Sequence, residues 1–263
     1  MQDFALHRPT SAAAAVETCR GCDEGRYLAG GQSLIPMMKL DLALPSDLVS
    51  LAGIAELSGI RREGETLTIG AAETHAAVAE SAEVAGAIPA LAGLAARIGD
   101  AQVRNRGTLG GSIAHADPAA DYPAALLALG AAIVTDRREI EAESFFAGPY
   151  ETALEAGELI RAARFPIPEA AAYAKFPQPA SKFALVGVFL ARTAEGVRVA
   201  VTGAATTVFR ADAIEQALER SFEASALDGL EIPPDGLTDN LDASAEYRAH
   251  LIGAMTRRAL TAI

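Results

Sequence analysis

Two glycine pairs carry most of the chemical information in this 263-residue chain. The first lies in Leu28-Ala29-Gly30-Gly31-Gln32-Ser33-Leu34-Ile35, directly after the short apolar run Arg26 to Ala29, which reads as a strand. Glycine lets a phosphate approach the main chain, whose N–H groups then donate to it, and Gln32 and Ser33 add side-chain donors at the same point. The second pair lies in Gly107-Thr108-Leu109-Gly110-Gly111-Ser112-Ile113-Ala114. Here Gly111 follows Gly31 by 80 positions, and Thr108 and Ser112 are the hydroxyl donors. Two such loops suit one diphosphate, whereas either pair alone reads equally well as a bulge or a turn. Neither segment fits Gly-x-Gly-x-x-Gly after a strand or Gly-x-x-x-x-Gly-Lys-Ser/Thr, which disfavours a dinucleotide Rossmann fold and a P-loop nucleotidase.

Other chemistry is sparse. Cys19 and Cys22, spaced as Cys-Arg-Gly-Cys, are half of a structural metal site; the four histidines, His7, His75, His115 and His250, are scattered without paired spacing. The thiols are read as incidental, with a redox pair or a shared metal site as the alternatives, and no metal is assigned. Two cysteines also fall short of the roughly four that an iron–sulfur cluster takes, so any such cluster belongs to a partner. No Ser-His-Asp set with an elbow motif is present, and no catalytic residue is assigned. A formal charge of −12 without a basic, aromatic-interleaved stripe argues against nucleic acid as a partner. No apolar stretch reaches the ~18 residues of a membrane span. The first residues lack the basic start and apolar run of a signal peptide, so a cytoplasmic location is expected.

The elements that must position these residues follow from periodicity and turn signals. Ala12 to Cys19 reads as a helix, Leu48 to Leu51 and Thr66 to Gly70 as strands, and Thr74 as the N-cap of a further helix. Ala90 to Ile98 places Leu91, Leu94, Ala95 and Ile98 on one helical face and stops at Gly99. Asp117-Pro118 predicts an N-cap and first helical residue, opening a helix that runs to Leu129 and ends at Gly130. A hairpin turns at Asp136-Arg137, a second at Ala194-Glu195-Gly196, and helices over Ala211 to Arg220 and Ala245 to Ala262 complete the chain. Prolines near 165 to 177 mark a change of character, so a small α+β unit is expected beyond that point.

The stretches Ala29-Gly-Gly-Gln-Ser-Leu-Ile-Pro-Met-Met-Lys-Leu40 and Ile98-Gly-Asp-Ala-Gln-Val-Arg-Asn-Arg-Gly-Thr-Leu-Gly-Gly-Ser-Ile-Ala-His-Ala-Asp-Pro-Ala-Ala-Asp-Tyr-Pro123 resemble the FAD-binding medium subunit of molybdenum hydroxylases. That group contains aerobic carbon monoxide dehydrogenase and the flavin domain of xanthine dehydrogenase. The similarity continues, more weakly after residue 165, through Lys175-Phe176, Phe183 to Val188 and Ser244 to Arg248. The resemblance implies an α+β fold: a vanillyl-alcohol-oxidase-type FAD-binding domain over 1–168, of two subdomains (about 1–55 and 56–168), then a C-terminal α+β domain over 169–263 with a three-stranded antiparallel sheet. It also implies FAD as cofactor, and as partners a molybdenum-cofactor large subunit and a 2Fe–2S small subunit in a dimer of heterotrimers.

By the same resemblance, Leu28 to Ile35 wraps the FAD diphosphate, with Ala29, Gly30, Gly31, Gln32 and Ser33 making most contacts. Thr108, Gly111, Ser112 and Ala114 form a second wall; Asp121 bonds the flavin side, Ile98 and Ile160 give apolar contacts to it, and Lys175 stands nearby. Plainer roles stay open beside these. Asp117 is an N-cap or a ligand, Asp121 a first-turn carboxylate favoured by the helix dipole, His115 a packed histidine or a cofactor neighbour, and Lys175 a surface lysine. Arg104 and Arg106 are phosphate contacts, solvated loop charges or interface contacts. The chain lacks the four-cysteine insertion of the 4-hydroxybenzoyl-CoA reductase branch, and its Cys19–Cys22 motif lies outside the family pattern. The implied function is a flavin subunit that takes electrons from partner clusters and passes them to an external acceptor. The alternatives are a self-contained FAD-dependent oxidoreductase and a non-catalytic FAD-binding assembly module.

Overall fold

Three main sheets, each with its own apolar cluster, follow one another along the chain in a computed structural model that describes residues 2–263, and a two-stranded ribbon lies within the second region. The first contains β1 (Ala5–His7), α1 (Ala12–Arg20), β2 (Gly25–Leu28), α2 (Leu34–Lys39) and β3 (Asp47–Ser50). Its strands are parallel in the order β1-β3-β2, and Ala12, Ala15, Val16 and Cys19 of α1 pack with Val49, Leu51, Ile54 and Leu57. Ser11 starts α1, its hydroxyl accepting from the Ala14 amide at 3.2 Å.

The second region runs through β4 (Ile60–Glu63), β5 (Thr66–Gly70), α3 (His75–Glu80), α4 (Ala82–Ala87), α5 (Pro89–Ala95), α6 (Ala101–Arg104), α7 (Leu109–His115), α8 (Tyr122–Ala128), β6 (Ala132–Thr135), β7 (Glu139–Glu141), β8 (Phe146–Gly148), β9 (Glu151–Thr152) and β10 (Ile160–Pro166). Its main sheet is antiparallel, ordered β4-β5-β10-β6-β7. Fully buried Leu67, Ile69, Leu91, Leu94, Tyr122, Phe145 and Phe165 form its core, each burial being worth roughly 1.5–3 kcal/mol. The third region has β11 (Ala170–Pro177), β12 (Ala184–Thr193), β13 (Gly196–Thr202), β14 (Phe209–Arg210), α9 (Asp212–Arg220) and α10 (Ala245–Leu260). All four strands are antiparallel, so the three strands implied by resemblance are joined by a two-residue fourth.

The regions are tied together by specific contacts. Arg20 meets Asp136 at 2.8 Å, and the Tyr27 hydroxyl donates to the Gly157 carbonyl at 3.0 Å, pinning the first sheet to the second. Tyr173, Phe189, Ala191, Ala200 and Val208 of the third region pack into the core of the second. Among the described residues no helix is long and apolar enough to cross a membrane.

One expected element starts elsewhere. Asp117-Pro118 does not open a helix: the Asp117 carboxylate instead accepts from the Ala119 amide at 2.8 Å, closing a tight turn. The Pro118 and Ala119 carbonyls of that turn are held by Gly203 and Ala184 amides of the third region. The helix begins at Tyr122, with Asp121 at the N-cap position and Pro123 in its first turn. Likewise α5 ends at Ala95, three residues short of Ile98, with Ala96 as its C-cap, and the chain then turns through Gly99 in the left-handed region (φ 49°) toward α6.

Candidate flavin-binding site

The two glycine turns meet in space. A Cβ added to Gly30 would drive into the Arg106 carbonyl oxygen and stand 2.8 Å from the Gly107 Cα, so only glycine permits this approach of backbone to backbone. Gly111 faces the same turn, its added Cβ falling 3.9 Å from the Ala29 Cβ. Gly31 has φ 73°, which turns the chain sharply after β2. The main-chain N–H groups of Gly30, Gly31, Gln32 and Ser33 donate to no acceptor among the described residues, and the Ser33 hydroxyl makes no cap bond. Four unspent amide donors on one partly exposed turn are free to receive an anion.

The second turn is built differently. Its glycine pair lies inside the first turn of α7 rather than in a loop, with Thr108 as N-cap. The Leu109 and Gly110 amides donate to Glu73 and Ala71 carbonyls, Gly111 to Thr108 Oγ1 at 3.1 Å, and Ser112 to the Thr108 carbonyl at 3.0 Å. These amides are therefore spent within the protein. What the second turn offers is the Thr108 hydroxyl proton, the Ser112 hydroxyl and close-packed glycine backbone. A contribution of amides from both turns, as expected for this wall, gives way to amides from one and hydroxyls from the other.

Contacts that the sequence reading did not assign to the site hold α7 in place. A Cβ on Gly110 would stand 2.5 Å from the Ala71 Cβ, and one on Gly107 would stand 2.6 Å from His75 Nε2. Thr74 caps α3 and pairs with Thr108 in an isolated antiparallel bridge, so the starts of α3 and α7 are locked together. His75 is buried against Tyr122, with ring centroids 5.4 Å apart. Burial, with the Arg104 charge beside it, lowers its pKa to about 4, so the ring is neutral at pH 7. Gly107 opposite a buried ring was a usable signal in the sequence only once the Thr74–Thr108 bridge was known.

The remaining candidates fall into two places. Asp121 and Lys175 are both buried and pair with each other, Nζ lying 2.8 Å from Oδ1 and 3.0 Å from Oδ2. The Tyr173 hydroxyl also donates to Asp121, and Lys175 donates to the Arg97 carbonyl at 3.3 Å. Burial pushes the Asp121 carboxyl up, while Lys175 and Tyr173 oppose that shift. Lys175 is thus an interior cation joining β11 to α8, which excludes the surface lysine that was its plainer alternative. Asp121 turns away from its own helix start to make the pair, which is why it caps nothing. Ile160 is a core residue of β10, and Ile98 is half-buried at the margin of the same large cluster. Ala114 is exposed near the end of α7, and His115, half-buried, ends that helix against Tyr150 at 5.1 Å, burial lowering its pKa. Arg104 is committed to the turn after α5, donating to the Ile98 and Gly99 carbonyls at 3.0 and 3.2 Å. Leu28 ends β2, while Leu34 and Ile35 begin α2, Ile35 being partly exposed next to Gly31. Two clefts in the third region, at the β12–β13 turn and beside α10, contain none of these residues.

A family model described as the FAD binding domain in molybdopterin dehydrogenase matches residues 2–168. The chain belongs to this family. It is 35% identical to the carbon monoxide dehydrogenase medium chain of Hydrogenophaga pseudoflava, covering 98% of this chain and 96% of that one. The nicotine 6-hydroxylase medium subunit of Paenarthrobacter nicotinovorans is 34% identical, over 96% of this chain and 94% of the relative. Among solved structures, reconstituted CO dehydrogenase from Oligotropha carboxidovorans superposes with a TM-score of 0.91 at 35% identity, over 99% of this chain and 97% of that one. The chain is an FAD-binding medium subunit of the molybdenum hydroxylase type, a component of a multi-subunit oxidoreductase, and its cofactor is FAD. The likeness first drawn from two segments holds across nearly all of its length.

Proposed function

We propose that the FAD diphosphate lies in the crevice between the two glycine turns, received by the Gly30 to Ser33 amides and faced by the Thr108 and Ser112 hydroxyls. The observation that carries this reading is the convergence of Gly30 on Arg106-Gly107 with four amide donors left unspent. Leu28, Ala29, Leu34, Ile35, Gly111 and Ala114 belong to the walls of that crevice. Ile98, His115, Asp121, Ile160 and Lys175 belong to its flavin end, where the buried Asp121–Lys175 pair fixes α8 against β11. When bound, FAD supplies one- and two-electron chemistry, which suits collecting single electrons from the 2Fe–2S clusters of a small subunit and delivering them to an external acceptor. This chain's task is to bind and orient, so it holds no acid–base residue that touches substrate; oxidation of the substrate belongs to a molybdenum-cofactor large subunit. The names of the relatives as medium chains and subunits support a heteromeric assembly of this kind; its proposed form is a dimer of heterotrimers.

In this reading the FAD-binding domain spans 1–168, with a subdomain boundary near 55, and the C-terminal domain spans 169–263. The limits of the family match and of the three sheets support that division. A cytoplasmic location completes the proposal. The test is purification of the full chain with and without partner subunits, read by flavin absorption. The expected result is stoichiometric FAD in the chain and reduction by substrate only in the complete complex. Turnover of a substrate by the isolated chain would instead make it a self-contained flavoenzyme, and FAD that partner clusters never reduce would make it an assembly module.

A further inference from the structure

Away from the glycine turns, three side chains of different chemistry meet at the rim of the first sheet. His7 ends β1, Asp47 opens β3 and Cys22 stands in the turn between α1 and β2. Their ligating atoms all lie within 4.8 Å of one another, and all three residues are half-buried. His7 Nε2 is 2.6 Å from Asp47 Oδ1, while the other Asp47 oxygen accepts the Ser46 hydroxyl at 2.7 Å. The Cys22 thiol donates to the Thr18 carbonyl at 3.1 Å. The fold produces this meeting from residues far apart in the chain. Asp47, on the central strand, pairs with Ala5 on one side and Gly25 on the other; His7, two residues beyond Ala5 and opposite Val49 in the same parallel register, lies on the same face of the sheet as Asp47, next to the turn that enters β2. The two cysteines part company: Cys19 is packed into the apolar cluster of α1, and Cys22 faces His7 and Asp47.

We propose that His7, Cys22 and Asp47 form a binding site for a zinc-class divalent cation, with water as the fourth ligand. An imidazole nitrogen, a thiolate and a carboxylate suit zinc, whereas calcium and magnesium take oxygen sets. Neutral His7 with ionised Cys22 and Asp47 carries two negative charges, which balance the cation. Tetrahedral bonds of about 2.0–2.3 Å hold ligand atoms roughly 3.3–3.8 Å apart, so the His7–Asp47 contact opens by about 1 Å as Cys22 closes in. Partial exposure gives these side chains room to rotate and leaves water access to the fourth position. Ser46 remains on the second Asp47 oxygen and fixes the carboxylate's orientation. Binding replaces the Cys22 S–H bond and the His7–Asp47 hydrogen bond by three bonds to the cation: the thiol proton passes to solvent, and the Nε2 proton that Asp47 accepts is exchanged through water to Nδ1, freeing the Nε2 lone pair for the cation. The occupied site ties β1, β3 and the α1–β2 turn together. It is independent of the flavin assignment.

The test uses the full chain, reduced and freed of metal by a chelator, titrated with Zn2+ and separately with Co2+. The expected result is one equivalent of either cation and a thiolate-to-cobalt charge-transfer band. Cys22→Ser abolishes the band and weakens zinc binding at least tenfold, His7→Gln weakens it comparably, and Cys19→Ser leaves both unchanged. In the unmodified chain, saturating Zn2+ slows alkylation of Cys22 at least tenfold, read by mass spectrometry, which needs no variant to fold. A missing cobalt band, a band that survives Cys22→Ser or is lost in Cys19→Ser, or unprotected Cys22 overturns the proposal.

Discussion

Asp121 and Lys175 spend their charges on each other in the interior, and such a pair is expensive to break from one side only. Lys175→Met leaves a carboxylate buried without its cation, with an expected loss of about 3–5 kcal/mol in denaturant unfolding; the double variant Asp121→Leu/Lys175→Met recovers most of it. A single variant as stable as wild type would show that the pair does little for the fold. His75 gives a prediction in pH. Its pKa in the folded chain is about 4, below the ordinary value near 6.5, so the folded state binds fewer protons than the unfolded state between those limits. The stability of the neutral ring is present in full above pH 6.5 and is lost as pH falls toward 4, by up to ~3 kcal/mol. The difference between wild type and His75→Gln in stability against pH should shrink across that window, and a constant difference would remove the histidine from the account. At this scale the sequence revealed donor types but not partners. Gly30 and Gly31 were legible as a sharp turn, whereas the Asp121–Lys175 pair joins residues 54 apart, which no local pattern encodes.

Elements were legible where local rules act alone. α1, β5, α9, the Gly130 stop and both hairpins lie within a residue or two of expectation, because caps, periodicity and turn glycines decide them locally. Misreadings arose where tertiary contacts compete. The turn at Asp117 is held by amides from the third region, and the second glycine pair is helical because Thr108 caps it and β5's continuation accepts its amides. Thr74 and Thr108 cap neighbouring helices through the same type of bond, at 3.1 Å each. Removing either hydroxyl as alanine should cost about 1 kcal/mol of stability. Only Thr108→Ala should also weaken FAD binding, and more so with Ser112→Ala, since those hydroxyls are the proposed donors of the second wall. Equal FAD affinities for Thr74→Ala and Thr108→Ala, measured by titration, would contradict the role given to the second wall.

Across the whole molecule, the two glycine turns come from two regions that share no local sequence relation; in the proposed site the first sheet supplies the amides and the second the hydroxyls, while the third braces α8 through the Asp121–Lys175 pair. The order of strands in the parallel sheet was not legible, since parallel pairing carries no hairpin signal, and neither was the meeting of His7 with Asp47 that depends on it. The resemblance covered what periodicity could not, because it rests on the two turns that must coincide for a diphosphate to bind. The most direct measurement is an equilibrium titration of FAD, with riboflavin in parallel, against the full chain and Gly30→Ala. Wild type should bind FAD far more tightly than riboflavin, and Gly30→Ala, folded by its circular dichroism, should lose at least a hundredfold in FAD affinity while its riboflavin binding changes little. Wild-type FAD affinity in a folded Gly30→Ala chain would contradict the convergence of the two turns on the diphosphate.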